Sequence, residues 1–247
     1  MRMLVIRVRW KRALRYIGAG AAACVLTSAG IFLAQDAARQ VHTIPAFPRP
    51  VILLDAGHGG EDGGAVGLNG IVEKDINLPI TLKLNDFLQA LGYETQMTRT
   101  TDISIHDATA ASLRERKRTD IHNRFHMMEA LRDTDLFLNI HQNKFPESGP
   151  HGTQVFYSKN HPRSLILANS IQSSVAGLLQ PDNARQVKPA GDSIYLLYHA
   201  QIPAVLVECG FISNPDDAAK LVRDDYQNRI AFAIACGVLD FSRPEAT

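Results

Sequence analysis

The stretch Val51–Asp75, VILLDAGHGGEDGGAVGLNGIVEKD, decides how the chain is read. An apolar run ends in Asp55, and six glycines then fall between Gly57 and Gly67. A strand feeding a glycine-rich loop is the shape of a phosphate cradle. The dinucleotide pattern, however, needs G-x-G-x-x-G opening a helix. Counting from Gly57, the sixth residue is Asp62, and no G-K-[ST] follows. The loop instead carries His58 among its first glycines and ends at Glu73, just before a helical pattern.

Downstream, strand-like and helix-like segments alternate. Ile76, Ile80, Leu84, Phe87, Leu88 and Leu91 recur at helical spacing up to Gly92, and Pro79 requires this helix to begin close to Asp75. YETQMTR, DLFLNIH, TQVFYS and AVLVECGF read as strands. SLRERKRTDIHNRFHMMEALR, SLILANSIQSSVAGLL, PDDAAKLVRD and YQNRIAFAIACGVLDF read as helices, with SIYLLYHA a short element between. Such alternation implies an α/β fold: a single three-layer domain, its twisted sheet mostly parallel, with helices on both faces.

Polar residues interrupt the apolar strands at particular places. VILLDAGH ends at His58, DLFLNIH at His141 and AVLVE at Glu208. In an open parallel sheet the C-terminal ends of the strands are the ligand edge. His58, His141 and the loop carboxylate Glu73 make a three-ligand zinc set with one position open, which leaves Glu208 free as a base. The competing reading is of capped or hydrogen-bonded strand-end histidines. It accounts less well for a carboxylate ending an apolar strand, since a buried charge is costly unless paired.

Other candidates carry less. His122 and His126 have metal-compatible i, i+4 spacing, but lie on a strongly charged helix and read as a solvated face. His106 and Asp107 read as loop-shaping or capping residues, and His151, His161 and His199 as surface or packing residues. Strand alternation turns Cys209 away from Glu208. The cysteines, Cys24, Cys209 and Cys236, form no disulfide framework. Asn143, two residues past His141, is a candidate substrate contact.

The net charge of +1 over 247 residues hides an asymmetry. Arg2, Arg7, Arg9, Lys11, Arg12 and Arg15 precede any acid, so removing those six charges leaves −5 for the rest. A mildly acidic body excludes nucleic acid as a partner. The expected organisation is a basic cytoplasmic N-terminus over 1–13, a transmembrane helix or signal segment over 14–34, a Pro-containing linker over 35–50 and a catalytic domain over 51–243. Tyr16–Ala34 carries no charge and is long enough to cross a bilayer; the preceding cations place the N-terminus inside and the domain outside the membrane. A cleaved signal peptide, giving a secreted domain, is the competing reading.

LLDAGHGGEDGGAVGLNGIVEKDINL, LNIHQN and PAVLVECGFISNPDDAAKL, in that order, resemble the zinc-dependent N-acetylmuramoyl-L-alanine amidase family of cell-wall hydrolases (amidase type 3). The likeness runs from Val51 to about Phe241. It implies one Zn2+ per chain held by His58, Glu73 and His141, with Glu208 as the catalytic carboxylate and peptidoglycan as the substrate. TDISIHDATAASLRERKRTDIHNR and KPAGDSIYLL resemble the CwlD-type spore-cortex members, which implies a role in cortex maturation, muramic δ-lactam formation and germination. An activating protein partner is left open, and a non-catalytic, membrane-tethered peptidoglycan-binding module is the alternative. Asn139 and Gln142 stand where many relatives carry small residues, and Tyr198 where a basic residue is common, which bears on substrate positioning.

Overall fold

A computed structural model describes residues 50–132 and 135–243. The expected basic N-terminus, the apolar segment 14–34 and the linker up to residue 49 lie outside the described residues. Among the described residues no helix is long and apolar enough to cross a membrane.

The chain runs β1 (Val51–Ala56), a 3-10 turn (Leu68–Gly70), α1 (Lys74–Ala90), β2 (Glu94–Met97), α2 (Leu113–Glu129), β3 (Leu136–Asn143), β4 (Gln154–Tyr157), α3 (Pro162–Leu178), β5 (Lys188–Pro189), α4 (Tyr195–His199), β6 (Ala204–Phe211), α5 (Pro215–Leu221) and α6 (Asp224–Phe241). The strands form one sheet in the order β2-β1-β3-β6-β4-β5. Neighbours are parallel except β4, which runs antiparallel to β6. The sheet is mostly parallel, as expected, with one antiparallel pairing. The reversal has a local cause: β4 follows β3 through a short loop and returns beside β6, with no crossover helix between them.

Strand alternation splits the core in two. Ile52, Leu54, Leu138, Val205 and Val207 pack on one face against Ile80 and Leu84 of α1, Leu167 and Ile171 of α3, and Ile230 and Ile234 of α6. Leu53, Phe137, Ala204 and Leu206 face the other way, onto Met128 of α2 and Leu196 and Leu197 of α4. Helices thus cover both faces, and the central strands β1, β3 and β6 are apolar almost throughout, as burial on both sides demands.

One strand extends beyond the residue expected to end it, and another ends where expected. β3 continues to Asn143, with a register shift between His141 and Asn143, while β6 spans Ala204–Phe211, the AVLVECGF read as a strand. β1 stops earlier, at Ala56, and places His58 in the loop beyond it with a positive φ of 61°. α2 begins at a capping box, in which Ser112 accepts from the Glu115 N–H and the Glu115 carboxylate reaches back.

Candidate active site

The glycine loop folds back over the C-terminal ends of β1 and β3. Glu73 immediately precedes α1, and its side chain turns into the loop. Oε1 lies 2.7 Å from His141 Nδ1, and Oε2 lies 3.2 Å from His58 Nε2. The Ala65 and Gln142 backbone N–H groups donate to Oε2 and Oε1 at 2.9 and 3.1 Å. The imidazole rings of His58 and His141 sit 5.0 Å apart and nearly perpendicular. One ligand atom from each of His58, Glu73 and His141 falls within 4.8 Å of the others.

Space for this cluster depends on glycine. A Cβ on Gly57 would lie 2.2 Å from His141 Nε2. At Gly64 the backbone is left-handed (φ +72°) and a Cβ would lie 2.5 Å from Glu73 Oε2. The glycines that suggested a phosphate cradle make room for imidazole and carboxylate.

A further layer of polar groups holds the three in place. Asp62 Oδ2 contacts His58 Nδ1 at 2.8 Å, which directs Nε2 toward Glu73, and Lys117 of α2 pairs with Asp62 Oδ1 at 2.7 Å. Asn77 donates to the Gly57 carbonyl and to Glu73, and Gln142 donates to Asn77. The Gln142 that departs from the family pattern thus braces a residue that braces Glu73. Arg124, fully buried, pairs with Asp55 and Asp120 and donates to the carbonyls of Ala56 and His58. Arg99 donates to the Ala56 and Gly57 carbonyls. Asp62 and Asn77 went unremarked in the sequence; a carboxylate or an amide among glycines and helix residues carries no periodic signal.

Glu208 lies directly beside His141 in the β3–β6 register, and its Oε2 is buried with no hydrogen-bond partner among the described residues. Burial, and then the charge of Glu73, push its carboxyl up to about 8, against a smaller opposing effect of His58. Burial disfavours the protonated His58 ring, but hydrogen bonds to Asp62 and Glu73 outweigh it and lift its pKa to about 9. Burial likewise opposes ionisation of Glu73, yet its bonds to His141 and His58 hold it far below the usual carboxylate range. Two carboxylates and two imidazoles therefore meet in a pocket short of positive charge. That shortage, with an N, N, O donor set converging at ligand distance, fits a divalent cation of the zinc type.

The remaining sequence candidates fall elsewhere. Asn143 ends β3; its carbonyl accepts from the Ile212 N–H, and its side chain makes no hydrogen bond among the described residues. His126 pairs with Glu129 at an exposed position, and His122 stacks on Tyr195. His106 contacts Ser104, His161 caps α3, and His199 packs on Tyr195. Cys209 points into the core opposite Glu208, and burial pushes its thiol far up. Tyr198 is exposed on α4.

The model of the family described as N-acetylmuramoyl-L-alanine amidase matches residues 52–240. The chain belongs to the N-acetylmuramoyl-L-alanine amidase family. It has that family's activity, hydrolysis of the amide between muramic acid and L-alanine. It is 32% identical over 191 residues to the germination-specific N-acetylmuramoyl-L-alanine amidase of Bacillus subtilis (strain 168), covering 77% of this chain and 79% of that protein. It is 36% identical over 194 residues to the amidase LytC of the same organism, covering 78% of this chain but 35% of that longer protein. Among solved structures, the CwlD amidase from Clostridioides difficile, in complex with the GerS lipoprotein, superposes with a TM-score of 0.74 at 37% identity, covering 78% of this chain and 98% of that one. The likeness of this amidase to the spore-cortex type thus has counterparts in both sequence and structure.

Proposed function

We propose that this amidase is zinc-dependent, with His58, Glu73 and His141 as the metal ligands and Glu208 as the catalytic base. The observation that carries the reading is the convergence of three ligand atoms beside an unpartnered carboxylate oxygen. A zinc ion there would acidify water and polarise the lactyl carbonyl. Glu208 accepts the water proton as the oxygen attacks the carbonyl carbon. It then passes that proton to the alanine nitrogen as the C–N bond breaks, leaving a lactyl carboxylate and a free amine. Asp62 keeps His58 in the tautomer that presents Nε2, and Asn77 fixes the Glu73 carboxylate. Asn143, at the end of β3 two residues past His141, is the candidate substrate contact in this reading.

The same reading places residues 14–34 in a membrane as an uncleaved anchor, with residues 51–243 as an extracytoplasmic catalytic domain. It gives the enzyme a place in spore-cortex maturation, where removal of stem peptides exposes muramic lactyl groups for δ-lactam closure. The support is the likeness to a germination-specific amidase and to CwlD. The latter was solved with a lipoprotein, so a lipoprotein is the class of partner to seek.

The roles of the two glutamates separate in one experiment. Glu73→Ala removes a ligand, so zinc content and activity fall together. Glu208→Gln keeps near-stoichiometric zinc while peptide release slows by about 10²–10⁴-fold. Zinc per chain and release rate, measured on both variants, decide the matter. If Glu208→Gln loses the metal while Glu73→Ala keeps it, the assignment is reversed.

A further inference from the structure

His141, Glu208 and Gln154 lie side by side on adjacent strands β3, β6 and β4, because Glu208 pairs with His141 on one side and with Gln154 on the other. Directly opposed residues share a face of the sheet. The row therefore continues from the metal ligand through the base to Gln154, which is buried. The Gln154 Oε1 accepts from Arg185 Nη1 at 3.2 Å, and its Nε2 donates to the Gln186 carbonyl.

Arg185 comes from the connection between α3 and β5. Its Nε donates to the His151 carbonyl at 2.6 Å, and its guanidinium carbon lies over the Phe211 ring, 4.4 Å from the centroid. Nη2 has no hydrogen-bond partner, and the side chain has no ion pair, among the described residues. Asp217 acts on its charge from a distance, but Asp217 Oδ2 is taken by the Gly152 and Phe211 N–H groups. A half-buried arginine held on three sides and lacking a carboxylate is a preformed fork for an anion.

We propose that Arg185 receives a carboxylate of the stem peptide and so aligns the leaving half of the substrate across Glu208. Strands are about 4.8 Å apart, so Gln154 is one spacing from Glu208, and the guanidinium is one hydrogen bond beyond. An extended peptide advances about 3.3–3.6 Å per residue, so a carboxylate on the second stem residue, just past the scissile amide, reaches the fork. Arg185 is thus a positioning and specificity residue on the peptide side. The inference rests on Glu208 marking the reacting bond.

The test uses the full zinc-loaded chain and two muramoyl tetrapeptides that differ only in whether the second stem residue carries a carboxylate or its amide. The wild type favours the carboxylate form by about 10–100-fold in kcat/KM, the range of a charge-assisted hydrogen bond. Arg185→Gln removes that preference, mainly through KM, and loses far less on the amidated substrate than on the carboxylate one. Arg185→Lys restores part of the preference. Equal wild-type rates on the two substrates overturn the proposal even if Arg185→Gln fails to fold. So does an Arg185→Gln loss of equal size on both, which would mark a purely structural arginine. Absence of release from either substrate by the wild type would instead strike at the amidase itself.

Discussion

His58 holds a left-handed backbone conformation that a β-carbon disfavours, and it does so beside a glycine with no room for one. Backbone strain of this kind persists where surrounding contacts enforce it; here Asp62, Glu73 and the Arg124 bond to the His58 carbonyl do so. Gly57→Ala would drive a methyl group into the His141 ring. Zinc affinity is expected to fall at least about tenfold, as geometry at a ligand is lost. Gly149→Ala, at a site with open space around it, leaves affinity unchanged. Titration with a zinc-competing chelator measures both, and equal affinities would show that Gly57 does not shape the site. His58, Glu73, His141 and Glu208 were legible in the sequence, because each interrupts or flanks an apolar run where a polar residue needs a reason. Asp62, Asn77 and Arg185 were not. Their importance lies in contacts across long stretches of chain, such as Arg185 with His151 or Asn77 with Gly57, that no local spacing encodes.

Helices α1, α3 and α6 announce themselves by apolar positions three and four apart, and their buried residues follow that pattern. α2 does so only weakly: Ile121, Phe125 and Met128 pack on the second core cluster, but the rest of its sequence is strongly charged. Read alone it is a solvated helix, yet Arg116, Lys117 and Arg124 pair with Glu61, Asp62 and Asp55 around the glycine loop. Tertiary ion pairs add to this short apolar stripe in holding the helix against the sheet and the glycine loop. The two-residue β5 and the antiparallel β4 were beyond a pattern reading for a different reason: strand direction depends on the connection, which the alternation of elements does not specify. Arg124 is the strongest link between α2 and the sheet. Arg124→Leu leaves Asp55 buried without its cation and is expected to lower unfolding stability by about 3–5 kcal/mol. Asp55→Leu with Arg124→Leu recovers part of that loss, because Asp55 is then no longer a stranded charge, while Asp120 loses its Arg124 partner and keeps only its bonds from Ser104 and Ile105. Urea unfolding curves for the single and double variants test the link; an unshifted midpoint for the single variant contradicts it.

At the scale of the whole molecule, a tether and a catalytic domain make separate claims. If residues 14–34 anchor the chain, fractionation finds the full-length protein in the membrane pellet; a soluble extracellular form beginning near Gln35 contradicts an uncleaved anchor. If the enzyme serves the cortex, spores of a deletion strain lack muramic δ-lactam, and normal lactam content contradicts that role. The central claim is that zinc at His58, Glu73 and His141 drives peptide release. Its most direct test is to strip the metal from the full chain, restore zinc stoichiometrically, and follow digestion of purified sacculi by mass spectrometry. The expected result is release that stops on stripping and returns at one zinc per chain, with free L-alanine amino termini on the peptides and lactyl carboxylates on the glycan. Release that continues in the stripped protein, or fails to return with one zinc bound, would contradict the account.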